Sequence, residues 1–374
     1  MQLTEKQKSE GWRIAKFGDV AQEVRASTKD PLTEGIDYYI GLEHIESKSL
    51  RLARWGSIAK DNPTFTKKFR AGDILFGRRR AYLKKAAVAE FDGICSGDII
   101  VIAPKSGILV PDLLPFIVHS EPFFDWAVKH SAGGLSPRTK FKSLAEFEFM
   151  LPPLTRQNEM LKTLNSVENT IKSTECLLQS LNTYQSKILA RLFRCQHPVE
   201  NRSLDYKNLK LENIVELAYG KSPKGIKCDD GNISIYGTGG KVGLTNKKLS
   251  NGPTIIIGRK GTLDKPIFVE ENFWAIDTTY YCINLQDTVM LKWLYYYFCA
   301  LDLKKYDESS GVPSLARNTL YKISLKIPSL EDQNMYVSIN EKLDILRKTQ
   351  TNHLDNLKIL KNKFTVKYLN DEGA

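Results

Sequence analysis

The sequence predicts an α+β chain built as an internal repeat. Two similar mixed α/β globules are separated by two long antiparallel helices that pair as a coiled coil with pseudo-two-fold symmetry. Three observations predict this. First, residues 151–160 read LPPLTRQNEM and residues 327–336 read IPSLEDQNMY. Pro152, Leu154, Gln157 and Asn158 thus recur as Pro328, Leu330, Gln333 and Asn334, each 176 positions later. Second, each copy of this phrase opens a stretch of about 40 residues without Gly or Pro, the length of a long helix. Third, other matches fall in the same order in both halves, the signature of duplication.

The first globule is expected over 1–153. WRIAKFGDVAQEV (12–24) resembles YKNLKLENIVELA (206–218) in the second globule, expected over 198–329. DILFGRRRAYLKKAAVAEFDGICS (73–96) resembles TIIIGRKGTLDKPIFVEENFWAID (254–277), with Gly77-Arg78 matching Gly258-Arg259, Lys84 matching Lys265 and Glu90 matching Glu271. SAGGLSPRTKFKSLAEFEF (131–149) resembles SSGVPSLARNTLYKISLKI (309–327). The offset drifts from 194 to 181 to 176, as expected where loops change length and elements do not. Runs such as DILFG, DIIVIAP, TIIIG and TYYCINL read as strands bounded by turn residues. LLPFIVHSEPFFDWAVKH and MLKWLYYYFCAL read as aromatic-rich helices.

The prolines at 152, 153 and 328 break the preceding strand and set up a helix start. The first long helix is expected over 154–197 and the second over 330–374. Val167, Ile171, Thr174, Leu178, Leu181, Gln185, Ile188 and Leu192 step 4-3-4-3-4-3-4, a heptad seam with two polar members. Ile339, Leu343, Leu346, Gln350, His353, Leu357, Leu360 and Phe364 do the same. A single-faced helix of that length must bury its seam, and the other copy is its natural partner. The first helix leads from globule one to globule two and the second leads back, so the pair is antiparallel.

Composition bounds the function. The chain of 374 residues is 42% hydrophobic and 26% charged, ordinary for a globular protein. It has no apolar run of membrane-spanning length, and its polar start is unlike a secretory signal. The six cysteines are scattered and read as small buried residues of a reducing, cytoplasmic protein. The five histidines show no metal-ligand spacing, so no metal site is expected. Net charge is +11 with pI about 9.1, which favours a polyanionic partner, most simply nucleic acid. Two similar basic globules on a fixed spacer suit a ligand with two separated sites, and double-stranded DNA is such a ligand.

The repeated exits, the paired helices and the paired G-R-[RK] and S-x-G segments together resemble the specificity (S) subunit of type I restriction–modification systems, from Trp12 to about Leu369. The resemblance implies that each globule is a target recognition domain reading half of a bipartite DNA sequence, while the helices set the spacer. It implies two modification (methyltransferase) subunits and restriction/translocase subunits as partners, with no membrane. It also implies no catalytic site and no cofactor in this chain, S-adenosylmethionine, ATP and Mg being expected on the partner subunits. Pro328-Ser329, where the first exit has Pro152-Pro153, is a small departure.

Candidate DNA contacts are the basic residues near matched segments: Arg78, Arg79, Arg80, Lys84, Lys85, Arg138, Lys140 and Lys142 in the first globule, and Lys221, Lys224, Lys241, Arg259, Lys260, Lys265 and Arg317 in the second. Arg grips guanine bidentately and Lys holds phosphate. The glycine before Arg78 and Arg259 is expected to let backbone approach phosphate. Three enzyme-like phrases are weak. DNPTF (61–65) lacks the second Pro of the amino-methyltransferase loop and any Gly-rich cofactor loop before it. YGTGGKVG (236–243) lacks the G-K-[ST] ending of a phosphate loop, and IESK (45–48) lacks the upstream Pro-Asp of nucleases. A specificity subunit of a system with a fused nuclease–methyltransferase partner, or a coiled-coil scaffold without DNA reading, are the alternatives.

Overall fold

The computed structural model describes residues 2–105 and 107–370, except the side chains of 368–370. The last four residues of the second expected helix, 371–374, lie outside the described residues. The chain divides into two compact units, residues 1–174 with 353–374, and residues 175–352. The division falls inside the long helices, so each unit is a globule together with part of both.

In the first unit, strand Arg13–Lys16 pairs antiparallel with Glu148–Leu151, tying the start of the globule to the strand before the exit. A four-stranded antiparallel sheet has the order Ala21–Glu23, Ile99–Pro104, Ile74–Gly77, Ala86–Val88. A second sheet has the order Gly56–Ser57, Tyr38–Ile40, Gly93–Cys95, Lys67–Phe69, with its middle pair parallel. The aromatic-rich run forms two helices, Leu114–Val118 and Glu121–Lys129, split where Ser120 caps the second and Pro122 follows. Phe17, Phe76, Phe123 and Phe149 fill the core between sheet and helices, with Phe17 and Phe123 rings 4.6 Å apart.

The second unit repeats this plan. Tyr206–Lys210 pairs with Ser324–Pro328. The four-stranded sheet has the order Glu216–Tyr219, Thr279–Ile283, Thr254–Gly258, Ile267–Val269. The second sheet has three strands, Gly240–Thr245, Ile233–Gly237 and Phe273–Ala275, again with one parallel pair. Leu291–Ala300 is one helix, burying Trp293 and Tyr297. The repeat corrects one frame. Phe149 pairs with Ala15 and Leu325 with Leu209, so 131–149 corresponds to 307–325, two residues from the frame the sequence suggested.

The echoed phrase has a physical cause. Gln157 is fully buried; its Oε1 accepts from the Val110 N–H at 2.7 Å, and its Nε2 donates to the Ile108 and Pro152 carbonyls at 2.9 and 2.8 Å. Gln333, equally buried, accepts from the Met290 N–H at 2.7 Å and donates to the Thr288 and Pro328 carbonyls at 2.9 and 3.0 Å. One side chain thus satisfies three backbone groups at each exit, where the chain leaves a strand for a helix. Ser329, the departure from Pro153, accepts from the Asp332 N–H at 3.1 Å and caps its helix.

The long helices, Leu154–Arg194 and Leu330–Asn370, have 41 residues each, about 60 Å. Within the first unit Glu168 pairs with Lys361 at 2.9 Å, and Leu164 and Thr365 line the same cavity. Within the second, Gln185 Nε2 donates to Asp344 Oδ1 at 2.9 Å, and the Tyr336 hydroxyl donates to the Gln196 carbonyl. In both, partner numbers fall as residue numbers rise, so the helices are antiparallel. Val167, Ile171, Thr174, Leu178, Leu181, Gln185, Ile188 and Leu192 lie on the buried or half-buried side of the first helix. On the second, the inward phase is Asn340, Leu343, Arg347, Gln350, Leu354, Leu357, Lys361 and Phe364. Leu343, Leu357 and Phe364 are on it. Leu346 and Leu360 are 48% and 42% exposed, and His353 is exposed too. Alternate seam positions are shifted by one residue because Asn340, Arg347 and Lys361 turn inward to polar partners on the first helix.

Candidate nucleic-acid interface

Each unit brings its matched G-R and S-x-G segments side by side, although about 60 residues separate them in sequence. In the first unit the Arg78 N–H donates to the Asp98 carbonyl at 2.9 Å, and the Arg78 carbonyl accepts from the Thr139 N–H at 2.9 Å. The Arg80 N–H donates to the Pro137 carbonyl at 2.8 Å. In the second unit the Arg259 N–H donates to the Thr278 carbonyl at 2.8 Å, and the Arg259 carbonyl accepts from the Leu315 N–H at 2.9 Å. There the Gly261 N–H donates to the Pro313 carbonyl at 2.8 Å. The same three-bond clasp therefore holds a basic strand end against a proline-bearing loop in each globule.

The matched glycines serve this turn. A Cβ on Gly258 would stand 1.9 Å from the Thr262 carbonyl oxygen, and one on Gly77 would stand 3.1 Å from the Lys85 carbonyl oxygen. The close approach is to the chain's own backbone, so the expectation that it serves a phosphate is replaced by a structural reason.

Side chains around the clasp differ between units. In the first, Arg138 Nε donates to Asp98 Oδ1 at 2.8 Å, and Arg79 reaches Asp98 Oδ2 at 3.4 Å and Ser136 Oγ at 3.2 Å. Burial pushes the Asp98 carboxyl up, but Arg138 and then Arg79 outweigh it and hold it below the usual carboxylate range. Two arginines thus share one carboxylate, which leaves a positive surplus. Arg80 is exposed in the left-handed region at φ 54°. Arg78 Nε is buried without a hydrogen-bond partner.

In the second unit, Thr278 occupies the place of Asp98. Here Arg259 and Arg317 both lie over the Tyr219 ring, at 5.4 and 4.9 Å from its centre. Arg259 Nη1 donates to the Asp277 carbonyl at 2.9 Å and Arg317 Nη1 to the Leu217 carbonyl at 3.3 Å, while Arg317 Nε is buried without a partner. Tyr280 supports Tyr219 with ring centres 5.1 Å apart and donates its hydroxyl to the Leu315 carbonyl at 3.0 Å.

The other candidates lie as follows. Lys140 stands at the N-cap of the short helix Phe141–Ala145, which carries Lys142, and both lysines are exposed. Lys260 is exposed opposite Ser314. Lys221, Lys224 and Lys241 are exposed, Lys241 on a hairpin strand. Lys265 is exposed next to Asp264, which pairs with Lys304 at 2.6 Å. Lys84 instead pairs with Glu121, and Lys85 Nζ donates to the Leu42 carbonyl at 2.6 Å. Asp98, Ser136 and Tyr219 were missed in sequence, since each carries its role only once the clasp forms. Among the described residues no group of three or more His, Cys, Asp or Glu is placed to hold a metal ion, and no helix is long and apolar enough to cross a membrane. DNPTF opens with the last residue of helix Ile58–Asp61 and its αL cap Asn62, and YGTGGKVG forms a β-hairpin.

Comparison with known proteins agrees with this architecture. Over 188 residues the chain is 30% identical to the type I restriction enzyme EcoDI specificity subunit of Escherichia coli, covering 49% of this chain and 41% of that one. Over 247 residues it is 23% identical to the type I restriction enzyme MjaVIII specificity subunit of Methanocaldococcus jannaschii, covering 59% and 54%. The chain spans about half the length of the curated relatives it matches. The fold is similar to the crystal structure of a type I restriction–modification S subunit from M. genitalium, with TM-score 0.66, 14% identity and coverage of 100% and 99%. It is also similar to a chain from a study of complex assembly and conformational transition of the type I R-M system, with TM-score 0.60, 18% identity and coverage of 98% of both chains. Residues 9–183 and 203–358 match the family model described as type I restriction modification DNA specificity domain; the chain belongs to that family.

Proposed function

We propose that this chain is a sequence-specific DNA-binding specificity subunit. Each globule reads one half of a bipartite target through the arginines at its clasp, and the chain directs methyltransferase and restriction subunits to that site without a catalytic group of its own. The observation that carries the reading is the clasp itself. Two globules that share few residues hold a basic strand end in the same three backbone bonds, and then surround it with different side chains. A common frame with divergent chemistry is what two different half-sites require. The two long helices set the spacing and offer two pseudo-equivalent faces, suited to two modification subunits. S-adenosylmethionine, ATP and Mg belong to the partners in this reading.

Binding to a cognate site and to each half-site mutant across a salt series tests it. The cognate site comes from methylome sequencing of cells expressing the chain with its modification subunit. Arg78→Ala is expected to cost about 1–3 kcal/mol and relax one half-site, and Arg259→Ala the other. If either arginine holds only phosphate, specific and non-specific DNA weaken alike and the salt slope falls by about one. Unchanged affinity and slope for both variants refute the role of the clasp.

A further inference from the structure

We propose that the clasp loop of each unit ends in an apolar fingertip, Leu135 in the first and Val312 in the second, and that each reads the 5-methyl group of a thymine in the major groove, an extension that rests on the DNA-reading function proposed above. The two loops share one plan. In the first unit the Ala132 N–H donates to the Arg138 carbonyl at 3.0 Å and the Arg138 N–H to the Ala132 carbonyl at 2.9 Å, closing a tip that reads GGLSP, 133–137. In the second the Glu308 N–H donates to the Ser314 carbonyl at 3.3 Å, closing a tip that reads SSGVP, 309–313. Each tip ends in the proline whose carbonyl completes the clasp, Pro137 or Pro313. The apolar residue stands third in one tip and fourth in the other.

Leu135 is 99% exposed and Val312 69%. One exposed apolar side chain is ordinary on any surface. One at the tip of each duplicated loop, beside the clasp arginines, is not explained by packing. The loops are held at their bases. Ser131 Oγ and Thr139 Oγ1 donate to the Ala127 carbonyl at 2.8 and 2.7 Å. In the second unit Asp307 Oδ1 accepts from the Ser309 and Ser314 N–H groups at 3.0 and 2.9 Å. The tips themselves are slim: a Cβ on Gly134 or Gly311 would meet nothing within 4 Å, and Gly133 makes its turn at φ 117°. Arg79 reaches Ser136 Oγ in the same tip as Leu135, so guanidinium and fingertip enter one groove together. Arginine donors select guanine, whereas the 5-methyl of thymine is the apolar mark on the major-groove edge and needs an apolar contact. A wedge between base pairs calls for Phe, Leu, Ile, Met or Pro. Val312 is too short for that task, but valine and leucine both cover a methyl group.

Binding of the full-length chain is measured on its cognate duplex and on duplexes in which each thymine in turn becomes deoxyuridine. That exchange removes the methyl group and keeps every hydrogen-bonding group. One thymine in each half-site is expected to matter, with affinity falling about fourfold on its replacement. Leu135→Ala should abolish the effect in one half-site and Val312→Ala in the other, both variants melting as the parent does because neither side chain is packed. A half-site without thymine on either strand overturns the proposal, as do a full set of deoxyuridine duplexes bound like the parent and a methyl effect that survives both substitutions. Weaker binding by Leu135→Ala with no methyl effect identifies a wedge and also overturns it. Loss of preference for the cognate over a scrambled duplex in the parent chain is a different result: the DNA-reading function itself then fails and the fingertips with it. Preference retained without a methyl effect removes the fingertips alone.

Discussion

At the scale of single residues, Gln157 and Gln333 carry the most structure for their size. Each satisfies three backbone groups that no neighbour replaces. Gln157→Leu keeps volume but strands those groups, so a loss of about 1–3 kcal/mol is expected in chemical denaturation, with Gln333→Leu behaving alike. His119 makes a pH prediction. Its neutral form is favoured in the folded state, so its folded pKa lies below the unfolded value near 6.5. The unfolded chain then binds the extra proton as pH falls through about 6.5, and stability declines by up to about 1.4 kcal/mol per pH unit. Above that pH the contribution is complete. Urea midpoints at pH 7.5 and 5 should draw closer together in His119→Gln. The glutamines were legible as a repeated phrase, but their bonding was not, because Val110 and Met290 reach them only through the fold. Tyr219 carried no signal at all: the first globule has Arg25 at the matching place, so the repeat could not mark it.

Elements were more legible than contacts. The strands Ile74–Gly77 and Thr254–Gly258 follow from short apolar runs bounded by turn residues, and both long helices from the absence of Gly and Pro. The seam of the second helix shows where apolar periodicity fails. Leu346 and Leu360 continue the heptad in sequence, yet Arg347 and Lys361 face inward because Gln185 and Glu168 await them. A polar partner across the interface outweighs a leucine's preference for burial when both charges are answered. Leu343→Glu should then cost several kcal/mol, because it buries an unpaired charge. Leu346→Glu, three residues on, should stay within about 0.5 kcal/mol. Thermal melts of the pair decide it; equal losses would return the seam to the leucines.

At the scale of the whole molecule, the repeat is closed by exchange rather than by simple succession. The first unit borrows the last part of the second long helix, residues 353–370. Phe364 packs on the core that contains Met160 and Leu164, and Leu354 is buried nearby in sequence on the same helix. A chain stopped after Asn352 keeps every residue of the second unit but strips this cover from the first. Calorimetry should then show one transition near its original temperature and the other lowered or lost, with hydrogen exchange accelerated at Leu164 and Ile171. Two unchanged transitions would show that the borrowed segment is dispensable. The same exchange sets an order of events during synthesis. The unit begun first is finished last, since 175–352 must emerge before 353–374 can arrive. At ordinary ribosomal rates that delay is roughly ten to forty seconds. Throughout it the growing chain presents Met160, Leu164 and Ile171 uncovered, and a chaperone that recognises a nascent apolar helix face has its opportunity there.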